Sequence, residues 1–515
     1  MKRFKIVYIA VLALFAVSCD SYLDETPDNR AEVDSQVKIR KLLVSAYPSG
    51  SHTLVTELSS DNVDDMGTSN PNTKRFFEQL ANWVDVTEVE NDDPKQVWEL
   101  AYKAIASSNE ALAAIERLGE DNLKPEKGEA LITRAYNHFV LVNIFCKHYN
   151  KTSSDSDLGI PYMVKSETTL NPKYERGTVK DVYEKINVDI EAALPLISDD
   201  MYEISAYHFT KKAAYAFAAR FNLYYENWAK AKEYATLVVT VDPSTQLRDW
   251  EALGAVPKQP SPVTQTYIND GANLLALTDG SDAGLYFGAY YYGSRFNHSR
   301  KIADEQTLLA PLPWGATTRG DFEFGPFVYA GTNLDKTLFL KIPYLFEYTD
   351  PVAGIGYRRT VTIPFTTDET LLVRAEAEVM LGDNDAALAD LNAWSKNFFK
   401  AKEATLDQVN TFYTDLPYSS EVAPNQKKKL NPKFTVAAGT QENMIHYVLQ
   451  CRRILTLHEG LRWFDIKRYG IEVPRFQIQA DGSTTVLDVL KVDDLRRAIQ
   501  IPQDVVSAGL TANPR

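Results

Sequence analysis

Cysteine is scarce in this sequence: three residues in 515, too few for a disulfide framework to hold the chain together. The serine elbow GxSxG, the zinc helix HExxH and the CxxC pair are all missing, which leaves the hydrolase, metalloprotease and thiol-redox classes without a motif. The seven histidines are scattered singly: His138 and His148 share no helical face, and HEG at 458–460 lacks the second histidine of a zinc helix. GIGYRR (354–359) has neither the lysine nor the glycine spacing of a phosphate loop, and DSDLG (155–159) lacks the bidentate glutamate of a calcium loop. No two carboxylates stand out as acid and base for glycoside cleavage. The sequence therefore implies no enzyme, metal or cofactor. Positive charge is also short, with 55 Lys and Arg against 69 Asp and Glu. That balance argues against nucleic acid, whose phosphates reward basic clusters. The one basic run, Lys427–Lys429, reads as a solvated loop. No apolar run reaches the 18 residues that a membrane-spanning helix needs.

The chain does carry a short apolar run at its start. Lys2, Arg3 and Lys5 precede Ile6–Val17, about 18 Å if helical and too short for a bilayer core. A basic patch, a short greasy stretch and small residues describe an export signal. Ala16, Val17 and Ser18 lead into Cys19, a pattern that resembles the bacterial lipobox, although Ala16 stands where Leu is commonest. That resemblance implies acylation of the Cys19 thiol after removal of residues 1–18, and attachment to a membrane by lipid alone. Loss of the leader takes the formal net charge from −14 to −17. DSYLDETPDNRAEVD then reads as an acidic tether. The other cysteines, Cys146 and Cys451, are expected as buried thiols, with a mutual disulfide as the alternative.

The rest is dominated by helical periodicity with small residues on the packed face. WELAYKAIASSNEALAAIERLG (98–119) and GEALITRAYNHFVLVNIFCKHY (128–149) form one expected pair. KKAAYAFAARFNLYYEN (211–227) and WAKAKEYATLVV (228–239) form another, and 368–394 a further pair turning at GDND. ITRAYNHFVL, AARFNLYYEN and LVRAEAEVML each place an arginine (Arg134, Arg220, Arg374) between apolar ridges. This resembles the tetratricopeptide helix-turn-helix unit, with material inserted between repeats.

Between about 244 and 365 the composition changes. Pro and Gly become frequent, and 15 of the 65 residues from 284 to 348 are aromatic, about twice the 11% of the whole chain. The expectation is long loops with short strands, the usual seat of function on a helical scaffold. Aromatic faces stack on sugar rings while neighbouring polar groups bind hydroxyls. Tyr290 and Tyr291 stand beside Arg295 and Asn297, Trp314 sits in the Pro/Gly-framed APLPWG, and Trp83 lies near Arg75 in a second irregular stretch, 64–94. These seven residues are the ligand-binding candidates.

Several segments then resemble one family. They are the lipobox with its SYLDETP segment, ELSSDNV (57–63), and the spacing Trp98, Tyr102, Ile105, Asn109. RAYNHFVLVNIF (134–145), LGIPYM (158–163), DIEAALPLI (189–197) and AIQIPQDVVSAGLTANPR (498–515) continue the likeness. Most specific is CRRILTLHEGLRWFDIKRYG (451–470), where Cys451 stands in place of the family's usual acid. On these residues the chain resembles the SusD/RagB family of outer-membrane nutrient-binding lipoproteins. The resemblance implies a mostly α fold of tetratricopeptide-like pairs with an aromatic-rich insertion packed on it. It also implies capture of an oligosaccharide for a TonB-dependent SusC-type transporter, with peptide cargo or transporter docking alone as alternatives. The organisation follows as a signal peptide (1–18), an acidic tether (19–35), an N-terminal helical region (36–243), a loop-rich insertion (244–365), and a last helix pair with the signature region (366–515). Within EGLRWFDIKRYG, Gly460 is expected to close the preceding helix in a left-handed conformation. Arg462 is expected to pair with Asp465, and Gly470 to end the following helix.

Overall fold

The computed structural model describes residues 33–167, 172–240, 242–288, 294–329 and 335–515. The leader, Cys19, Tyr290 and Tyr291 lie outside the described residues. Helices make the scaffold: α1 (Gln36–Leu43), α2 (Thr53–Ser59), α3 (Arg75–Ala81), α4 (Pro94–Leu118), α5 (Lys124–Phe145), α6 (Val179–Ala193), α7 (Lys211–Tyr224), α8 (Trp228–Val238), α9 (Thr367–Met380), α10 (Asn384–Phe398), α11 (Leu406–Asp415), α12 (Thr440–Leu455) and α13 (Arg462–Arg468). Local chemistry sets their ends. Asp93 caps α4 by accepting the Gln96 N–H at 2.6 Å, with Pro94 in the first turn, where its missing N–H costs nothing. Thr366 and Asp383 cap α9 and α10 in the same way. Gly382, with φ +83°, makes the turn between them.

α4/α5, α7/α8 and α9/α10 are the tetratricopeptide-like pairs, and each carries a buried arginine that reaches a carboxylate of another helix. The Arg134 guanidinium grips Asp189 of α6 through two bonds of 2.7 Å. Arg374 grips Asp390 of α10 at 2.6 and 2.8 Å, and Arg220 reaches Glu369 of α9 at 3.1 and 3.0 Å. Each guanidinium is buried and ties one helix to another. The periodic apolar faces close over them into one large core. Cys146 and Cys451 are both buried free thiols.

The insertion is more ordered than its composition suggested. Short helices occur at Trp250–Ala255, Pro260–Ile268, Ala283–Tyr286 and Arg300–Glu305. Among its strands, β2 (Asn273–Asp279), β6 (Leu345–Asp350) and β7 (Ile355–Thr366) form an antiparallel sheet in the order β2-β7-β6. The frequent Pro and Gly residues fall largely between these elements and hide the short periodic runs. A second sheet joins distant parts of the chain: β1 (Asp64–Asp65) lies between β3 (Phe296–Asn297) and β8 (Val473–Ile478), with β9 (Thr484–Leu490) outside β8.

The signature segment folds onto ELSSDNV. Glu57 accepts N–H bonds from His458 (2.9 Å) and Gly460 (3.1 Å) and one from the Asn62 amide (3.0 Å). Arg453 donates to Asn62 Oδ1 and the Asp61 carbonyl at 2.9 and 2.7 Å. Arg452 lies among Glu369, Glu376 and Asp465, and Arg468 also bonds Glu376 and Asp465.

Three local expectations are corrected here. Arg462 pairs with Asp61 at 2.8 and 2.9 Å, not with Asp465, because α2 and its turn occupy that side while Arg452 and Arg468 claim Asp465. Gly460 has φ +76°, but α12 has already ended at Leu455. Glycine is needed there because a Cβ would stand 2.2 Å from Thr56 Oγ1. The basic run is not a solvated loop either: Lys427 and Lys428 are buried. Lys427 donates to the carbonyls of Tyr413 and Leu416, and Lys428 donates to Gln306 and Ser419 at 2.7 and 3.0 Å.

Candidate ligand-binding face

The irregular stretch 64–94 is held to the insertion by charge. β1 pairs with β3, setting Asp64 opposite Asn297 and Asp65 opposite Phe296. The Arg295 guanidinium takes both Asp65 oxygens at 2.7 and 2.9 Å and Glu78 at 2.5 Å. That pairing, Asp65 first, holds Arg295 above its ordinary range. Asn297 is buried and its amide donates to the Ser294 carbonyl. Arg295 and Asn297 therefore clasp two segments together. Arg75 stands apart from them, 71% exposed at its side chain and 3.3 Å from Glu88.

A row of ion pairs continues from there. Lys74 bridges Glu90 (2.8 Å) and Asp282 (2.9 Å), and Arg358 meets Asp282 at 3.0 Å. Beneath them Asp92, at φ +69°, accepts the Ser281 hydroxyl and the Asp282 N–H (2.7 Å). Burial pushes the Asp92 carboxyl up to about 7 from its ordinary 3.8, and the nearby Asp282 adds to the rise. The neutral form is thus favoured by folding. Its stabilisation is complete below pH 3.8 and fades as pH rises through 7. Between about pH 5 and pH 7.5 the wild type is expected to lose about 2–3 kcal/mol more stability than Asp92→Asn. Asparagine tolerates the left-handed backbone; its Oδ1 accepts the Asp282 N–H and its amide donates to the Ser281 hydroxyl oxygen in place of accepting from it. Denaturant titrations at the two pH values check this, and parallel slopes for both proteins would refute it.

Trp83 is 5% exposed and lies at φ +55°. Its indole N–H donates to the Ser59 carbonyl at 2.9 Å. Its ring sits 4.9 Å from the buried Arg475 guanidinium, with Arg496 at 5.9 Å. It floors a cleft of about 450 Å³ whose walls mix aliphatic residues (Val84, Val86, Ile499) with charged ones (Lys95, Arg496, Asp504). Glu88, the partner of Arg75, is on the rim. Trp314, expected in an exposed loop, is half-buried and packs against Phe399 (5.2 Å) and Tyr447 (6.4 Å). The core of α10 and α12 takes it in because its Pro/Gly frame folds back through a Leu312–Gly315 bridge. The structure thus brings Arg295 and Asn297 to one clasp, links Arg75 to the Trp83 cleft only through Glu88 on its rim, and places Trp314 elsewhere.

The outward aromatics are ones the sequence reading did not select. On the β6/β7 hairpin Tyr348 is 58% and Tyr357 60% exposed. Phe346 supports Tyr348 edge-on at 4.8 Å. Gly356 gives Phe346 its room, since a Cβ there would lie 2.7 Å from the ring. Arg358 at the base of this hairpin joins it to the Lys74 ion-pair row. The available signal was the alternation of LFEYTD and IGYRRTVT around a Pro/Gly turn. Among the described residues no cluster of His, Cys, Asp and Glu is arranged to hold a metal ion. No described helix is long and apolar enough to cross a membrane.

The fold and this face define a tetratricopeptide-like helical scaffold that presents a loop-built, aromatic-bearing surface. Residues 21–223 match the family model described as "Starch-binding associating with outer membrane", and 367–494 match the model of the SusD family. The chain belongs to the SusD/RagB family. A SusD superfamily protein from Bacteroides thetaiotaomicron superposes with a TM-score of 0.62 at 18% identity, over 93% of this chain and 99% of its own. One from Bacteroides vulgatus gives 0.62 at 18%, over 92% and 97%. A SusD-like carbohydrate binding protein from Bacteroides vulgatus gives 0.60 at 15%, over 92% and 96%. At such identities the likeness carries the fold alone. No curated protein matches the chain.

Proposed function

We propose that this chain is an outer-membrane lipoprotein that binds carbohydrate and passes it to a TonB-dependent SusC-type transporter. The match of residues 21–223 to a starch-binding, outer-membrane family carries this reading. Anchoring is through an acylated Cys19, with the folded body on the cell exterior. Binding proceeds without chemical conversion and without a cofactor. Modest intrinsic affinity suffices, because a transporter beside the captured ligand raises its effective concentration.

The ligand surface in this reading comprises the hairpin tyrosines Tyr348 and Tyr357, one on each face of the hairpin, together with the candidates named from the sequence. Arg75 is the one with a largely exposed charge, and Tyr290 and Tyr291 belong to the same insertion. Trp83 acts from beneath, as a support, while Trp314 packs against α10 and α12, apart from this surface. Sugar stacking on an exposed tyrosine contributes about 1 kcal/mol, so Tyr348→Ala and Tyr357→Ala each weaken oligosaccharide binding several-fold in titration calorimetry. Unchanged affinity in both rejects the hairpin. Silence of the folded ectodomain on a glycan array rejects the carbohydrate reading. Mass spectrometry of protein from the native host, finding Cys19 unmodified, rejects the anchor. A second reading, peptide cargo, is favoured by the Trp83 cleft, whose mixture of aliphatic (Val84, Val86, Ile499) and charged (Lys95, Arg496, Asp504) lining suits a peptide's own mixture of side chains. A peptide library bound in place of glycans would select it.

A further inference from the structure

Beneath the β2/β7 sheet, away from the face described above, lies an interior cavity of about 70 Å³. Asn137 of α5, Tyr224 of α7 and Asp279 of β2 line it, with Arg220, Lys341 and Glu459. The first three are each at least nine-tenths buried. Their hydrogen-bonding capacity is only half used. The Asn137 amide donates to the carbonyls of Ala46 (3.1 Å) and Thr133 (2.8 Å), and Asp279 Oδ2 accepts the Thr362 hydroxyl at 2.5 Å. Asn137 Oδ1, the Tyr224 hydroxyl and Asp279 Oδ1 have no protein partner.

Buried polar atoms are almost always hydrogen-bonded, and three without a partner on residues of one cavity wall would be a heavy load for a single seam. The cavity is far smaller than the roughly 300–1,000 Å³ of small-molecule sites, yet a water needs only about 10–15 Å³ of such space and two to four polar partners. We propose that this cavity is an internal ordered-water site. Its waters donate to Asn137 Oδ1 and Asp279 Oδ1, pair with the Tyr224 hydroxyl, and so join the helical scaffold to the sheet of the insertion. The joint sits where α5, α7 and β2, from separate parts of the chain, meet, and its polar groups are set among apolar ones such as Phe139, Leu277 and Val361.

Crystals of the ectodomain at high resolution test this directly. At least two ordered waters are expected within about 2.7–3.2 Å of those three atoms. Pressurisation with xenon is expected to leave the cavity unlabelled, since xenon enters dry apolar cavities. A xenon peak there, or clear density showing the three atoms without water, overturns the proposal.

Discussion

Replacing Arg452 with methionine lowers the free energy of unfolding by about 3–5 kcal/mol. Arg452 is fully buried among Glu369, Glu376 and Asp465, with contacts of 3.2, 3.7 and 3.3 Å. Methionine keeps most of the volume and removes the charge. It therefore leaves three buried carboxylates to share Arg220 and Arg468, and uncompensated buried charge is the costly outcome. The same network receives the Tyr469 hydroxyl on Glu376 at 2.8 Å, so the loss spreads to the end of α13. An exposed pair supplies the comparison: Lys38 and Asp34, 2.9 Å apart on the surface, contribute little, because solvent and salt screen them. Guanidinium titrations of Arg452→Met and Lys38→Met check the contrast. Equal, small shifts in the two would show that the signature network does not hold the fold.

Trp83→Ala is expected to cost a similar amount, about 3–5 kcal/mol, and for a reason separate from ligand. The indole covers the Arg475 guanidinium, which spends its donors on the carbonyls of Ala81 (2.6 Å), Leu58 (3.1 Å), Ser60 (3.0 Å) and Val63. Those carbonyls belong to the end of α2, the turn into β1 and the end of α3, so Arg475 and its aromatic lid tie β8 to both N-terminal helices. Truncation opens the floor of the cleft to water and leaves that guanidinium uncovered. It also removes the bond to the Ser59 carbonyl. A bulky residue at φ +55° is itself strained, and only the surrounding packing maintains it. Trp83→Phe retains the ring but loses the N–H, and falls between wild type and alanine. If Trp83→Ala unfolds like wild type yet abolishes binding, the residue is a ligand contact and its structural role here is wrong.

These two residues show what could be read along the chain. The helix pairs were legible because apolar spacing and caps are local: GDND turns where it should, and Arg134, Arg220 and Arg374 mark three buried helix-to-helix ion pairs, although their partners differ in place. The signature segment could be recognised, but its partners could not, since Asp61 lies 401 positions from Arg462. Arg462 was assigned to Asp465 on helical spacing, a rule blind to a competing acid from another helix. Lys427 and Lys428 looked solvated because a lysine's ordinary place is water, and only assembled carbonyls and amides repay burying one. Trp314 looked exposed because Pro and Gly frame it, while a turn that folds back on α10 and α12 seats it in a core.

The aromatic insertion shows the same division. Composition located it, and the density of Tyr, Trp and Phe marked it as unusual. Which rings point outward depended on sheet pairing: the β6/β7 register sets Glu347 opposite Tyr357 and Tyr348 opposite Gly356, which puts the two tyrosines on opposite faces of a hairpin that is exposed on both. By itself the chain determined its helices, their caps, its acidic charge and its family, because each depends on residues a few positions apart or on a motif. Tertiary structure alone decided which charges are paired, which aromatics are buried and where the cavities lie, because burial and pairing are properties of surfaces brought together from hundreds of residues away.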